Sequence, residues 1–184
     1  MQPTLFSLPK GEQPMRVVSS YAQNALRPES RNLIIEDALK VLTPIADSFD
    51  VLAFQGMSGA VMAPILAHLL GKGLLFVRKG DSYQDVGSGE ARHSSLKVEG
   101  PCGHIRFLIV DDFIAGGSTV RRIHKHVTKY NPFATCVGVY LWRSFRDMDT
   151  ITIGLENVKI YRTEARFDDV TGFWPDVEET ELPT

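Results

Sequence analysis

Two adjacent carboxylates, Asp111 and Asp112, end an apolar run, Phe107-Leu108-Ile109-Val110, and are followed by Phe113-Ile114 and then Ala115-Gly116-Gly117-Ser118-Thr119. These residue types define a chemistry. Gly116 and Gly117 let main-chain N–H groups come close to a ligand, and a helix starting just beyond them presents unpaired N–H groups and a positive dipole end. An anion is wanted there, and Ser118 and Thr119 add hydroxyl donors. The loop has no Lys, which excludes the Gly-Lys-Ser/Thr cradle of ATP-type sites. Two carboxylates beside an anion repel a bare polyphosphate, so they call for neutral hydroxyls to accept from, or for a divalent cation in between. A ribose 5-phosphate meets that description. The same residues also suit a plain strand–turn–helix with Ser118 or Thr119 as helix N-cap.

The elements that must position these groups follow from pattern. An apolar run without alternation suits a central strand of a parallel sheet covered on both faces, and ligands of such sheets bind beyond the carboxyl ends of the strands. Val120 to Lys129 reads as helix. Asp50 to Phe54 reads as a first core strand, followed by Gln55-Gly56-Met57-Ser58-Gly59 and by a helix over Ala60 to Leu70 that Gly71 stops. This is a second strand–glycine loop–helix unit, whose loop should lie beside 113–119. Leu33, Ile34, Ala38, Val41, Leu42 and Ile45 form one apolar face at helical period. Gly73 to Val77 is the next strand and ends in Arg78-Lys79, a pair that suits an anion site or a solvated surface equally. Gly80 to His104 is polar and rich in Gly and Ser, a length that marks a functional or disordered segment. Thr135 to Trp142 is a further strand after the Asn131-Pro132 turn, and Ile151 to Gly154 and Val158 to Tyr161 suit late strands.

The 107–119 stretch resembles the phosphoribosyl-diphosphate (PRPP) binding motif of the type I phosphoribosyltransferases: apolar strand, two acidic residues, two variable residues, Ala-Thr-Gly-Gly-Thr. Gly116 and Ser118 depart from that form at the second and fourth loop positions. The resemblance implies that Asp111 and Asp112 hold the ribose 2′ and 3′ hydroxyls and that Ala115, Gly116, Gly117, Ser118 and Thr119 hold the 5-phosphate. It implies that Gly56, Met57, Ser58 and Gly59 take the pyrophosphate, with a non-proline cis peptide expected near 55–58. Phe-Val-Arg-Lys is similar to the orotate and adenine phosphoribosyltransferases, where such a basic pair approaches the diphosphate; Arg78 and Lys79 carry that expectation. The resemblance implies that the segment 80–104 is a flexible lid or hairpin that excludes water from a transition state of oxocarbenium character, with Glu90, Arg92, His93 and Lys97 as its charged candidates. Glu90 and His93 join Asp111 and Asp112 as catalytic candidates. The hypoxanthine-type members place a cation near the edge occupied by Arg143 and Arg146, which suit surface charge equally. Mg²⁺ is the expected metal, held mainly by substrate oxygens and water, with Asp111 and Asp112 acting mostly indirectly.

Composition sets the frame. At 184 residues, with net charge −2 and pI near 6.2, the chain fits one α/β domain and gives no basic footprint for nucleic acid. Residues 1–14 lack a signal-peptide pattern, and the most apolar stretch is interrupted by Pro64, His68, Gly71, Lys72 and Gly73, so no membrane span is expected and a cytoplasmic location is. Cys102 and Cys136 are too few for a disulfide framework. Cys102-Gly103-His104 and the pair His124 and His126 lack zinc-site spacing. Phe167, Phe173 and Trp174 suit core closure or stacking on a base.

The expected whole is a single domain over 1–184, a mostly parallel central sheet flanked by helices. Its core spans about 29–145, with 1–28 as an arm and 146–184 as hood or tail, so that the termini supply a small hood. Its expected activity is Mg-dependent pentosyl transfer from PRPP to a nucleobase nitrogen, releasing pyrophosphate, by a homodimer of nucleotide salvage. A non-catalytic PRPP- or nucleotide-binding regulator of the same fold is the alternative.

Overall fold

The computed structural model describes residues 23–79, 96–143 and 148–163. Its centre is a sheet in the order β3-β2-β1-β4-β5-β7-β6. The strands are β1 (Val51–Gln55), β2 (Gly73–Val77), β3 (Val98–Glu99), β4 (Arg106–Asp111), β5 (Thr135–Leu141), β6 (Thr150–Ile153) and β7 (Glu156–Arg162). β2, β1, β4, β5 and β7 run parallel, and β3 and β6 close the two edges antiparallel. Every residue of β1 is buried, as is β4 from Phe107 onward. Period-two alternation sends their side chains into two separate apolar layers. Val51, Ala53, Phe107, Ile109, Val139 and Leu141 enter one, beneath α5 (Ser118–Tyr130), which adds Val120, Ile123 and Val127. Leu52, Phe54, Leu108, Val110, Tyr140 and Trp142 enter the other. That layer is covered by α2 (Pro28–Leu42), through Ile34, Ala38 and Leu42, and by α4 (Ala63–Leu70), through Ala63, Leu66 and Ala67. A short α1 (Gln23–Leu26) precedes α2.

The helix expected over 60–70 is divided. A one-turn α3 (Gly56–Ala60) follows β1 directly, and α4 starts afresh with Pro64 in its first turn. Pro64 has no N–H to continue the ladder but is preorganised to begin one. Gly71 ends α4 at φ +63°, with the Lys72 N–H returning to the Ala67 carbonyl at 2.8 Å.

The expectation of one long loop over 80–104 is corrected at its far end, because Val98 and Glu99 pair with Val77 and Phe76. Residues 150–162, placed by sequence among hood and tail, extend the main sheet: β7 pairs with β5 and turns back to β6 through Gly154 at φ +63°. The arm up to residue 22 and the tail from 164, on which the hood expectation rests, lie outside the described residues, as do Phe167, Phe173 and Trp174. Where β1 and β4 begin, Arg106 grips the Asp50 carboxylate. Its backbone N–H reaches Oδ2 at 2.8 Å and its guanidinium reaches Oδ1 at 2.7 Å. These hydrogen bonds hold the Asp50 carboxyl at about 2, below the usual carboxylate range. Among the described residues no helix is long and apolar enough to cross a membrane.

Candidate functional site

β1 and β4 are parallel neighbours, so the turns that follow them emerge side by side at the carboxyl edge of the sheet. Between them lies a pocket of about 400 Å³, lined by Ser58, Lys79 and the unbroken run from Asp111 to Val120.

The acid pair forms its floor. Asp111 and Asp112 are 4% and 5% exposed, and the chain beyond β5 holds their backbone. The Trp142 N–H donates to the Asp111 carbonyl at 3.2 Å, and the Arg143 N–H to the Asp112 carbonyl at 2.8 Å. The Asp112 N–H reaches Asp111 Oδ1 and the Phe113 N–H reaches Asp112 Oδ1. Burial, and then the charge of Asp112, push the Asp111 carboxyl up to about 7. Hydrogen bonds from the Asp112 backbone and the Ser58 side chain pull the other way and only partly offset this.

The loop 113–119 is set by Gly117. Its φ is +73°, and a Cβ there would lie 2.7 Å from Ile151 Cδ1 and 3.0 Å from Arg121 Nη1. The Arg121 guanidinium donates to the Gly116 carbonyl at 2.6 Å. Gly117 itself caps α5 and no side-chain cap bond is made, so the simple N-cap role for Ser118 or Thr119 is not what the fold uses. The first intrahelical bond runs from the Arg121 N–H to the Gly117 carbonyl. The preceding N–H groups of the first turn have no helical acceptor, and they stand at the positive end of the helix dipole.

The loop after β1 departs from expectation. The described residues contain no cis peptide. Gly56 at φ +65° makes the sharp turn instead, in a conformation glycine adopts without strain. The end of Lys79 crosses over it so closely that a Cβ on Gly56 would lie 2.5 Å from Lys79 Cε. Ser58 faces the pocket, whereas Met57 is 57% exposed and outside the lining. Gly59 serves packing, since a Cβ there would meet Phe54 Cβ at 2.5 Å and the Val110 carbonyl at 3.0 Å.

Arg78 and Lys79 separate. Lys79 lines the pocket, while Arg78 turns to the sheet edge and bonds Glu99 through Nε at 2.8 Å and Nη2 at 2.6 Å. The assignment of Arg78 to the diphosphate is corrected accordingly: successive residues of an extended chain point to opposite sides. Lys97 gives its carbonyl to the Arg78 N–H and is outside the lining. Glu90, Arg92, His93 and Arg146 lie outside the described residues.

Residues 22–143 match the family model described as the phosphoribosyl transferase domain. The chain belongs to the phosphoribosyl transferase family. An adenine phosphoribosyltransferase of Bifidobacterium adolescentis is 32% identical over 144 residues, 72% of this chain and 69% of the relative. One from Bifidobacterium longum subsp. infantis is 36% identical over 98 residues, 48% of this chain and 50% of the relative. An orotate phosphoribosyltransferase structure from Aeropyrum pernix shares the fold with a TM-score of 0.57 at 16% identity, covering 92% of this chain and 91% of that one.

The donor set bears on the metal that phosphoribosyl transfer implies. No cluster of three or more His, Cys, Asp or Glu suited to a metal exists among the described residues. What the pocket offers is two adjacent carboxylates with hard oxygens. That suits Mg²⁺, which keeps waters and is shared with substrate phosphates instead of being caged by protein.

Three contributors escaped the sequence reading. Phe113 is 37% exposed in the pocket wall beside Asp112, Arg121 braces the 113–119 loop, and Trp142 donates its indole N–H to the Ser58 carbonyl at 3.0 Å. Phe113 was visible as an aromatic at a variable motif position. Arg121 and Trp142 have no local signal.

Proposed function

We propose that this phosphoribosyltransferase uses Mg·PRPP and adenine. The observation that carries the reading is one pocket in which Ser58 after β1 and Lys79 after β2 meet Asp111, Asp112 and the 115–119 loop after β4. The two curated relatives, both adenine phosphoribosyltransferases, put adenine first among acceptors.

The assigned roles follow from chemistry. The loop N–H groups and the hydroxyls of Ser118 and Thr119 hold the 5-phosphate. Asp111 and Asp112 accept from the ribose hydroxyls, a task that favours ionised carboxylates. Lys79 neutralises part of the diphosphate. Asp111 and Asp112 would hold Mg²⁺ together with substrate oxygens and water, and the ion would neutralise further charge on the leaving group. Phe113 offers an aromatic face to the base. The C1–O bond to pyrophosphate breaks with its electron pair leaving on pyrophosphate, a ring nitrogen of the base bonds to C1, and the base gives up its ring proton. Acceleration comes from positioning and electrostatic stabilisation.

The test is pyrophosphate release with Mg²⁺, PRPP and each of adenine, hypoxanthine, guanine, xanthine, uracil and orotate. Release with adenine well above the no-base control is expected. Release with a different base alone overturns the choice of adenine, and absence of PRPP binding overturns the site.

A further inference from the structure

We infer that Trp142 is a positioning residue for phosphoribosyl transfer, locking the loop after β1 to the acid pair after β4. Trp142 is 1% exposed and follows β5 on the α2/α4 side of the sheet, in one layer with Leu108, Val110 and Tyr140. It reaches both halves of the site. Its backbone N–H donates to the Asp111 carbonyl at 3.2 Å, and its indole Nε1–H donates to the Ser58 carbonyl at 3.0 Å, 84 residues away in sequence. Ser58 and Asp111 line the same pocket. The two bonds tie Ser58 to Asp111 through Trp142.

The Ser58 carbonyl needs such a partner. It stands near the end of the one-turn α3, where carbonyls lack intrahelical donors. The next two N–H groups go elsewhere, Val61 to the Met57 carbonyl and Met62 to the Gly59 carbonyl. A part-buried carbonyl left without a donor is costly, and of the apolar side chains that fill such a space only tryptophan carries an N–H. The indole therefore fixes the rotation of the Ser58 peptide, and with it the part of the pocket wall that Ser58 forms. This inference rests on the reading that the 56–59 loop serves the diphosphate and the acid pair serves the ribose. PRPP spans both, so the distance between the loops sets how well both ends bind at once.

The test measures Mg·PRPP affinity by calorimetry, with kcat, the KM values for PRPP and base, and melting temperature, for wild type, Trp142→Phe, Ser58→Ala and the double variant. Each single change should weaken PRPP binding about three- to tenfold, the range of one hydrogen bond. The double variant should bind no more than about twofold worse than Ser58→Ala alone, because the indole acts through the placing of Ser58. Trp142→Phe should raise the KM for PRPP several-fold and leave the KM for the base within about twofold, which a merely space-filling tryptophan would not do. Losses that multiply in the double variant, or a folded Trp142→Phe with wild-type affinity and KM values, overturn the inference. If Trp142→Phe does not fold, benzothienylalanine at position 142, which keeps the ring volume and lacks the N–H, carries the same expectations. Wild-type protein that fails to bind PRPP overturns the functional reading itself and takes the inference with it, an outcome distinct from normal wild-type binding with an unaffected variant.

Discussion

Alanine at Gly117 and at its neighbour Gly116 should have opposite consequences. At Gly117 the backbone sits at φ +73° and a new methyl group would stand 2.7 Å from Ile151 Cδ1 and 3.0 Å from Arg121 Nη1. Left-handed backbone costs an L-residue about 1–2 kcal/mol, and pushing Ile151 off its rotamer adds about 0.5–1.5 kcal/mol. A loss of about 2–3 kcal/mol corresponds to a fall in melting temperature of roughly 5–10 °C for a chain of this size. The loop that must move is the one proposed to hold the 5-phosphate, so PRPP affinity should drop at least about tenfold, the equivalent of one charge-assisted hydrogen bond. At Gly116 a Cβ meets nothing within 4 Å and the φ is not left-handed. Gly116→Ala should be neutral or stabilising by up to about 1 kcal/mol, through the unfolded chain. Thermal melts by circular dichroism and calorimetric titration with Mg·PRPP measure both. A Gly117→Ala protein that melts with the wild type and binds PRPP equally well, or a Gly116→Ala protein as damaged as Gly117→Ala, would refute the reasoning.

Three further outcomes are expected. Asp111 titrates at about 7 in the folded chain against roughly 3.9 unfolded, so between these values the folded state binds more protons and its stability falls as pH rises. Melting temperatures of the ligand-free protein between pH 4.5 and 7.5 should show this, and Asp111→Asn should remove that part of the slope; an unchanged slope counts against the buried, raised carboxyl. Lys79→Ala should weaken PRPP binding about tenfold or more. Arg78→Ala, which breaks a half-exposed pair with Glu99 worth at most about 1 kcal/mol, should leave affinity within about threefold, and equal losses in titration would undo the separation of the two cations. Phe113→Ala should raise the KM for the base several-fold with little change in PRPP affinity; an unchanged base KM removes Phe113 from the base site.

The apolar run 107–110, the paired carboxylates and the two glycines were legible in sequence because each acts locally: burial on both faces forbids alternation, and only glycine suits the turn at 117. The layout of β1, β2, β4 and β5 was legible for the same reason. What was hidden depends on direction or on distant partners. Arg78 and Lys79 look alike in the sequence, yet the strand geometry turns one to Glu99 and the other over Gly56. The two-residue β3 is too short for any pattern, and its identity comes from pairing with β2. Alternation in Thr150–Ile153 announces a strand but not which sheet edge it joins. The break between α3 and α4 was marked by Pro64, whose effect competes with an apolar run that reads as one helix. Trp142 reads as the end of a core strand, and its indole bond to Ser58 exists only once β1 and β5 stand two places apart in the sheet.

The grip of Arg106 on Asp50, at the end of the sheet remote from the pocket, joins residues 56 apart in the chain and marks the closure on which the site depends. Parallel neighbours cannot meet through a tight turn, so the two loops share an edge only after that long stretch has been brought round and its entropy lost. Contacts of such sequence separation form slowly. The Arg121 bond to the Gly116 carbonyl is local to one loop, whereas the approach of the two loops is not, so PRPP-binding competence during refolding should return together with the whole sheet, and a nascent chain ending before β4 carries one half of the pocket with nothing opposite it.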